Sequence, residues 1–281
     1  MSAASEAAGK RVGLLAGGGR FPIVFAERAQ RLGIAVVCVG IRHEAAAELA
    51  GMVERFYWAG VARLGRMIRC FKREGVEQVV MAGKIRKTVM HTPWRILTLL
   101  PDWRTIRLWY RRRRDNRDDT LLLRLIEEFA VDGMRFESAL ELCPDLLAAS
   151  GVLTRRKPGP REKNDIDFGW QLAKEMGRLD VGQSVAVKER AVLAVEAIEG
   201  TDQAIARAGD LCRSGDFVVV KVAKPQQDMR FDVPTVGTST IETMHRAGGR
   251  VLAIEAGKTI ILDQDKTVAL ADRLGICIVA V

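Results

Sequence analysis

No apolar run in this 281-residue chain approaches the roughly 18 residues needed to cross a bilayer, so the sequence predicts no transmembrane helix. Cysteine is sparse and scattered. The five residues Cys38, Cys70, Cys143, Cys212 and Cys277 form no C-x-x-C pair, and Cys38 and Cys277 lie in apolar strand-like runs. They read as reduced core residues, not as zinc ligands or a disulfide framework. The leading MSAASEAAGKR has no basic region followed by an apolar one. It reads as a flexible leader over residues 1–10, not a secretory signal, which points to the cytosol. A G-x-G-x-x-G fingerprint is also missing, since the glycine stretch is GGGRFP, with Pro22 where a helix should begin. That argues against a nicotinamide-dependent oxidoreductase.

What is present describes an ordinary globular protein of two domains. Hydrophobic residues make up 48% and charged residues 28%, which excludes a wholly disordered chain. The length exceeds the usual ~100–200 residues of one domain. The formal net charge of +9 favours an anionic partner: nucleic acid, a phosphorylated small molecule or an acidic membrane surface.

The apolar pattern predicts an α/β fold. RVGLLA, GGGRFP, IVFAERAQRLG and IAVVCVGI read in order as strand, glycine turn, helix and strand, one βαβ unit. GVARLGRMIRCFKREG then reads as a helix stopped by Gly75, and VEQVVMAG as a strand. Residues 11–137 are therefore expected to form a Rossmann-like domain, an open parallel sheet covered by helices. From 138 the composition shifts to dense charge with Pro144, Pro158 and Pro160. Residues 138–281 are expected to form a mixed α/β domain. In this half VGQSVAVKERAVLAVEA reads as two strands around a tight turn at Lys188, Glu189 and Arg190, AIARAGDLCRSG as a short helix, and FVVVKVA, GRVLAIEA, KTIILD and ICIVAV as further strands.

Several stretches carry chemistry. Gly17, Gly18 and Gly19 stand at a strand-to-helix turn, where a bare backbone can approach a phosphate. Lys84 follows the carboxyl end of a strand, where open α/β sheets hold ligands. Trp94, Trp103, Trp109 and Tyr110 stand among Arg95, Arg104, Arg107 and Arg111 to Arg114, a composition suited to anionic lipid or to stacked nucleic acid. Glu196 and Glu255 each sit in an apolar strand and need a partner. Thr201 is expected as the N-cap of the next helix, with Asp202 in its first turn. In FVVVKVA, alternation puts Phe217, Val219, Lys221 and Ala223 on one face, so an ammonium enters an apolar strand. Pro225 ends that strand, and the extended segment behind it presents Asp228, Arg230 and Asp232 on one side. Straight, it separates the two aspartates by about 13 Å, so both reach one metal ion only if the chain turns between them.

Eight motifs in order are similar to one family. GLLAGGGRFP, AGKIRK, RDDTLLLRLIEEF, GVLT, DIDFGWQLA, LDVGQSVAVK, VEAIEGTDQAI and KVAKPQQDMRFDVPTVG resemble the UDP-2,3-diacylglucosamine pyrophosphatases of lipid A biosynthesis, LpxI type. The resemblance implies hydrolysis of UDP-2,3-diacylglucosamine to UMP and 2,3-diacylglucosamine 1-phosphate, by water attacking the α-phosphorus with Mg2+ or another divalent cation assisting. It implies ligand binding between two domains and action at the inner face of the inner membrane, peripherally, with residues 94–114 as the membrane contact and no nucleic acid as partner. The acidic residue of the family's K-P-x-Q-D motif falls on Asp228, where this chain has Gln226 at a position often occupied by glycine. Asp228, Lys221, Lys224 and Arg230 are the catalytic candidates. Gly17, Gly18, Gly19, Lys84, Gln183, Thr201 and Gln227 are the substrate contacts, and Asp228, Glu196 and Asp232 the metal ligands. The other reading of the residues is a basic α/β module that binds lipid or nucleic acid without catalysis; it leaves the buried carboxylates of the second half without a task. A homodimer is compatible with either.

Overall fold

A computed structural model describes residues 11–85, 100–111, 118–141, 143–226, 229 and 233–281. The leader expected over 1–10 falls outside them. The chain divides into two compact units, Met1–Cys143 and Pro144–Val281. The composition shift at 138 precedes that division, because the short turn Ala139–Glu141 still packs with the first unit.

In the first unit β1 (Val12–Ala16), β2 (Val36–Ile41), β3 (Arg55–Ala59), β4 (Gln78–Ala82) and β5 (Arg135–Glu137) form one sheet in the order β3-β2-β1-β4-β5, with every pair parallel. Helices α1 (Phe21–Arg31), α2 (Leu64–Arg73), α3 (Trp103–Arg111) and α4 (Asp118–Ala130) accompany it. The apolar side chains of α2, Leu64, Met67, Ile68 and Phe71, pack on Leu15, Val37, Val39 and Val79, with Phe129 and Phe136 completing that core. β1 and β2 are buried at every position, as expected of parallel strands covered on both faces. Burial pushes the Cys38 thiol up to about 12, in keeping with an inert core residue. The reversal of strand order at β1 puts the switch point of the sheet beside β4, where such folds hold ligands.

The second unit is built on a six-stranded sheet. Its strands are β6 (Gly151–Val152), β7 (Ser184–Lys188), β8 (Ala191–Val195), β9 (Phe217–Lys221), β11 (Gly249–Ile254) and β13 (Cys277–Ala280), in the order β6-β13-β11-β9-β7-β8. β13, β11 and β9 are parallel, while β7 runs antiparallel to β9 and to β8. β10 (Thr235–Val236) and β12 (Ile260–Ile261) pair separately. One face carries α6 (Thr201–Leu211), α7 (Thr238–Ala247) and α8 (Gln264–Leu274) over Phe217, Val219, Leu252 and Ile278; the other carries α5 (Pro160–Arg178) over Val218, Val220 and Val251. Alternation along β9 thus feeds two cores at once, and Lys221 belongs to the α6 face.

Motif residues explain the α5 packing. The buried Asp165 carboxylate accepts the N–H groups of Glu189 and Arg190 at 2.9 and 2.7 Å, which holds the tight β7–β8 turn, where both residues have positive φ. Gly169 lets α5 close onto the sheet, since a Cβ there would lie 2.8 Å from Val220 Cγ2. The DIDFGWQLA motif is therefore largely a packing motif. Its Asp165 clamps the turn.

Candidate functional site

In the first unit the glycine turn and Lys84 meet. Gly18 N–H donates to Lys84 O at 2.8 Å and Lys84 N–H to Gly18 O at 2.9 Å, an isolated bridge just past β1 and β4. Gly17 N–H donates to Ala82 O at 2.9 Å. The glycines are needed because the two loops touch: a Cβ on Gly17 would lie 2.7 Å from Lys84 O, and one on Gly83, at φ +90, 2.6 Å from Gly18 O. The close approach at Gly17 and Gly18 is made by backbone, and their N–H groups are committed to carbonyls. Gly19 differs, having φ +94 and nothing within 4 Å of a Cβ position.

In the second unit the register aligns Ser184, Lys221 and Ile254 in one row across β7, β9 and β11. Glu196 follows β8 and its N–H donates to Ser184 O at 2.8 Å, which brings a fourth strand end to the same edge. Carboxyl ends of parallel strands are where open α/β sheets place ligands. The chain is tightly confined there, because a Cβ on Gly182 would fall 2.0 Å from Glu196 O.

A polar cluster occupies this edge. Lys221, 6% exposed, donates from Nζ to Thr201 Oγ1 and to Thr235 O, each at 3.0 Å. The Thr201 hydroxyl donates a hydrogen bond to Glu196 Oε1 at 3.1 Å, and Ser184 Oγ lies 3.4 Å from the same hydroxyl. Thr201 is thus the hub that joins a buried cation to a buried anion. It is not the N-cap expected from the sequence. α6 begins at Thr201 itself, the cap is Gly200 at φ 87, and the threonine side chain turns to Glu196 instead of the helix backbone. Asp202 does lie in the first turn. Glu196 Oε2 is buried without a hydrogen-bond partner among the described residues. An acceptor oxygen left in that state is costly unless something occupies it.

Other candidates have different partners. Lys224, on the strand extension, pairs with Asp180 Oδ1 at 2.5 Å. Gln183 lends its backbone carbonyl to Val222 N–H at 3.0 Å. Glu199, close in sequence to Glu196, is folded into local structure: its carboxylate accepts Ala197 N–H at 3.1 Å and pairs with Arg207 at 2.5 Å. Burial pushes its pKa up, but the Arg207 guanidinium and the backbone N–H groups outweigh that and hold it below the ordinary value. Gln227, Asp228, Arg230 and Asp232 lie outside the described residues, as do Trp94 and Arg95. Among the described residues no group of three or more His, Cys, Asp or Glu side chains could hold a metal ion. Of the three expected ligands, Glu196 lies among the described residues. Its free buried oxygen suits a hard divalent cation, which takes carboxylate oxygen.

Glu255, whose need of a partner the sequence shows, has three. Ala223 N–H donates to its Oε2 at 2.8 Å, Lys174 Nζ lies 2.5 Å from the same oxygen, and Lys258 Nζ lies 2.9 Å from Oε1. Burial pushes its pKa up, while the two ammonium groups and the N–H pull it down, and the net result lies below the ordinary value of 4.5. A depressed folded pKa contributes stability that is fully present above the unfolded value and is lost as pH falls through the folded one. Urea melts of the parent protein and of Glu255→Gln should therefore differ most above about pH 4.5 and converge below it. A gap as large at pH 3 as at pH 7 would remove this carboxylate from the acid response.

Comparison with known proteins places the chain in a family. The LpxI N-terminal domain model matches residues 11–146 and the LpxI C-terminal domain model residues 149–279. The chain belongs to the LpxI family. A relative from Caulobacter vibrioides, named UDP-2,3-diacylglucosamine pyrophosphatase LpxI, is 33% identical over 97% of this chain and 98% of its own length. Among solved structures, the biotin carboxylase domain of Hydrogenobacter thermophilus 2-oxoglutarate carboxylase aligns at 13% identity over 73% of this chain and 41% of that one, with a TM-score of 0.24. The biotin carboxylase domain of a thermophilic 2-oxoglutarate carboxylase bound to ADP aligns at 16% identity over 63% of this chain and 46% of that one, with a TM-score of 0.23. Scores this low do not establish a shared fold. The LpxI models cover both units, so the family assignment holds for each.

Proposed function

We propose that this chain hydrolyses the diphosphate of UDP-2,3-diacylglucosamine to UMP and 2,3-diacylglucosamine 1-phosphate, a step of lipid A biosynthesis, at the carboxyl edge of its second sheet. The observation that supports this most is the Lys221–Thr201–Glu196 cluster: a buried ammonium and a buried carboxylate with one unused oxygen, joined through one hydroxyl. A diphosphate brings negative charge that must be met by fixed cations, and an ammonium already desolvated on a strand meets it with little screening by water.

In this reading Lys221 holds a phosphate oxygen, Thr201 fixes the ammonium and Glu196 relative to one another, and Asp228 orients or deprotonates the attacking water. Arg230 adds positive charge on the same segment, as Lys224 does once the diphosphate draws it from Asp180. Glu196, Asp228 and Asp232 are the residues that would hold Mg2+ or another divalent cation, which when bound supplies neutralising charge on the diphosphate oxygens. The acyl chains of the substrate need an apolar surface. Trp103 is 76% exposed and Leu100 57% exposed, and both lie in the stretch 94–114. We place peripheral contact with the inner face of the inner membrane there, where arginines attract anionic lipid. Among the described residues no helix is long and apolar enough to cross a membrane.

Chelation tests the metal and the reaction together. Activity on UDP-2,3-diacylglucosamine is expected to fall at least about a hundredfold in excess EDTA and to return with added Mg2+. Full turnover in excess chelator would remove the cation from the mechanism.

A further inference from the structure

The ladder between β9 and β11 ends at the pair Lys221 and Ile254. Past that point the β9 backbone has no partner on its β11 side, and buried peptide groups need another. Ala223, two residues on and 2% exposed, has both of its peptide groups held by side chains. Its N–H donates to Glu255 Oε2 at 2.8 Å and its carbonyl accepts from Lys174 Nζ at 3.1 Å. The two side chains are themselves paired at 2.5 Å. Lys174 also stands over the Trp170 ring, with Nζ 5.5 Å from the centroid. Lys174 comes from α5 and Glu255 from the turn after β11, so one residue of backbone is tied to two separate elements.

The grip lies directly before the segment that carries the chemistry. Lys224 and Pro225 follow at once, close to α5, where a Cβ on Gly177 would meet Lys224 Cα and Pro225 Cδ at 3.3 Å. Asp228 is five residues beyond Ala223. For stability alone an ion pair is a poor choice, because desolvating two charges offsets most of their attraction and apolar side chains of the same size do as well. What the pair offers is direction. A paired ammonium and carboxylate fix both the N–H and the C=O of one residue, which no apolar contact can do.

We propose that Lys174 and Glu255 are positioning residues for the hydrolysis: by holding Ala223 at both peptide groups they set the direction in which the Lys224–Gln226 segment leaves the sheet. This rests on the function proposed above. Neither residue is assigned to the substrate. Both act through the backbone, so the effect belongs in kcat and not in KM.

Misplacing a catalytic group by about 1 Å costs on the order of a hundredfold in rate. Lys174→Met and Glu255→Gln are therefore each expected to lower kcat for UDP-2,3-diacylglucosamine about 30- to 100-fold, with KM changed by less than about threefold. The double variant should be no slower than the worse single one, because the two side chains act as one unit. Lys174→Arg, which keeps the charge, should recover part of the loss. A merely structural role predicts unchanged kcat per folded molecule and losses that add. A second readout needs no turnover: hydrogen exchange of the Ala223 amide should quicken at least about tenfold in Glu255→Ala, while residues 184–188 stay as in the parent. Folded single variants with kcat within threefold of the parent, a rise in KM alone, or unaltered exchange at Ala223 would each overturn the proposal. If the parent protein itself fails to turn over the substrate, the functional reading is rejected and the positioning role with it, whereas slow variants of an active parent with unaltered exchange reject only the tether.

Discussion

Lys221→Met is expected to lower kcat/KM for UDP-2,3-diacylglucosamine by about a hundred- to a thousandfold, the usual loss when one fixed donor to developing charge is removed. The substitution is chosen because methionine keeps the length and apolar stem of lysine in a position that is 6% exposed. It removes the donor to Thr201 and to the Thr235 carbonyl and leaves Glu196 with Thr201 as its neighbour. Burying an ammonium on a strand is costly, which offsets part of the stability lost with its hydrogen bonds to Thr201 and Thr235. The expected signature is a folded protein, with a thermal midpoint near that of the parent, that has lost activity. Steady-state kinetics beside a thermal melt decide it. An inactive variant that melts well below the parent would make Lys221 a structural residue, and a variant with full activity would take it out of the site.

Asp228→Asn is expected to cost more, about a thousandfold or greater in kcat, because asparagine can neither deprotonate water nor offer the same charge to a cation. Here the warrant differs in kind. Lys221 is placed by strand register and hydrogen bonds, whereas Asp228 lies outside the described residues and its weight comes from the K-P-x-Q-D motif and from its distance along the chain from Ala223. Kinetics of Asp228→Asn against Asp232→Asn separate the two aspartates that share this segment. Equal and modest losses in both would deny Asp228 its special place.

How much of this was legible in the residues follows from what each inference used. The α/β class, the parallel first sheet and the burial of Lys221 came from periodicity and alternation, which depend on one strand at a time. The strands RFYWA at Arg55–Ala59 and RFE at Arg135–Glu137 lack the aliphatic runs of their neighbours and are half-buried or exposed at most positions. The long helix Pro160–Arg178 was hidden by its own composition, since its two glycines, many charges and leading prolines resemble a linker until Gly169 is seen packed on Val220. Thr201 was singled out for capping, and its actual partners, Glu196 and Lys221, are brought to it by strand pairing that no local pattern encodes. Glu255 could be recognised as a buried carboxylate in need of a partner. That Lys174, 81 residues away in sequence, would be that partner could not. The glycine turn teaches the converse. Three successive glycines suggested a phosphate cradle, and in the fold Gly17 and Gly18 admit the backbone of Lys84.

The most direct test of the account is phosphorus NMR of the purified protein incubated with UDP-2,3-diacylglucosamine and Mg2+. Loss of the diphosphate resonances with equal growth of two monoester signals, from UMP and 2,3-diacylglucosamine 1-phosphate, is the predicted result, and the same sample made with Lys221→Met should remain nearly unchanged over that time. A diphosphate that survives intact with folded parent protein, or is cleaved as fast by Lys221→Met, would contradict the assignment of hydrolysis to this edge of the second sheet.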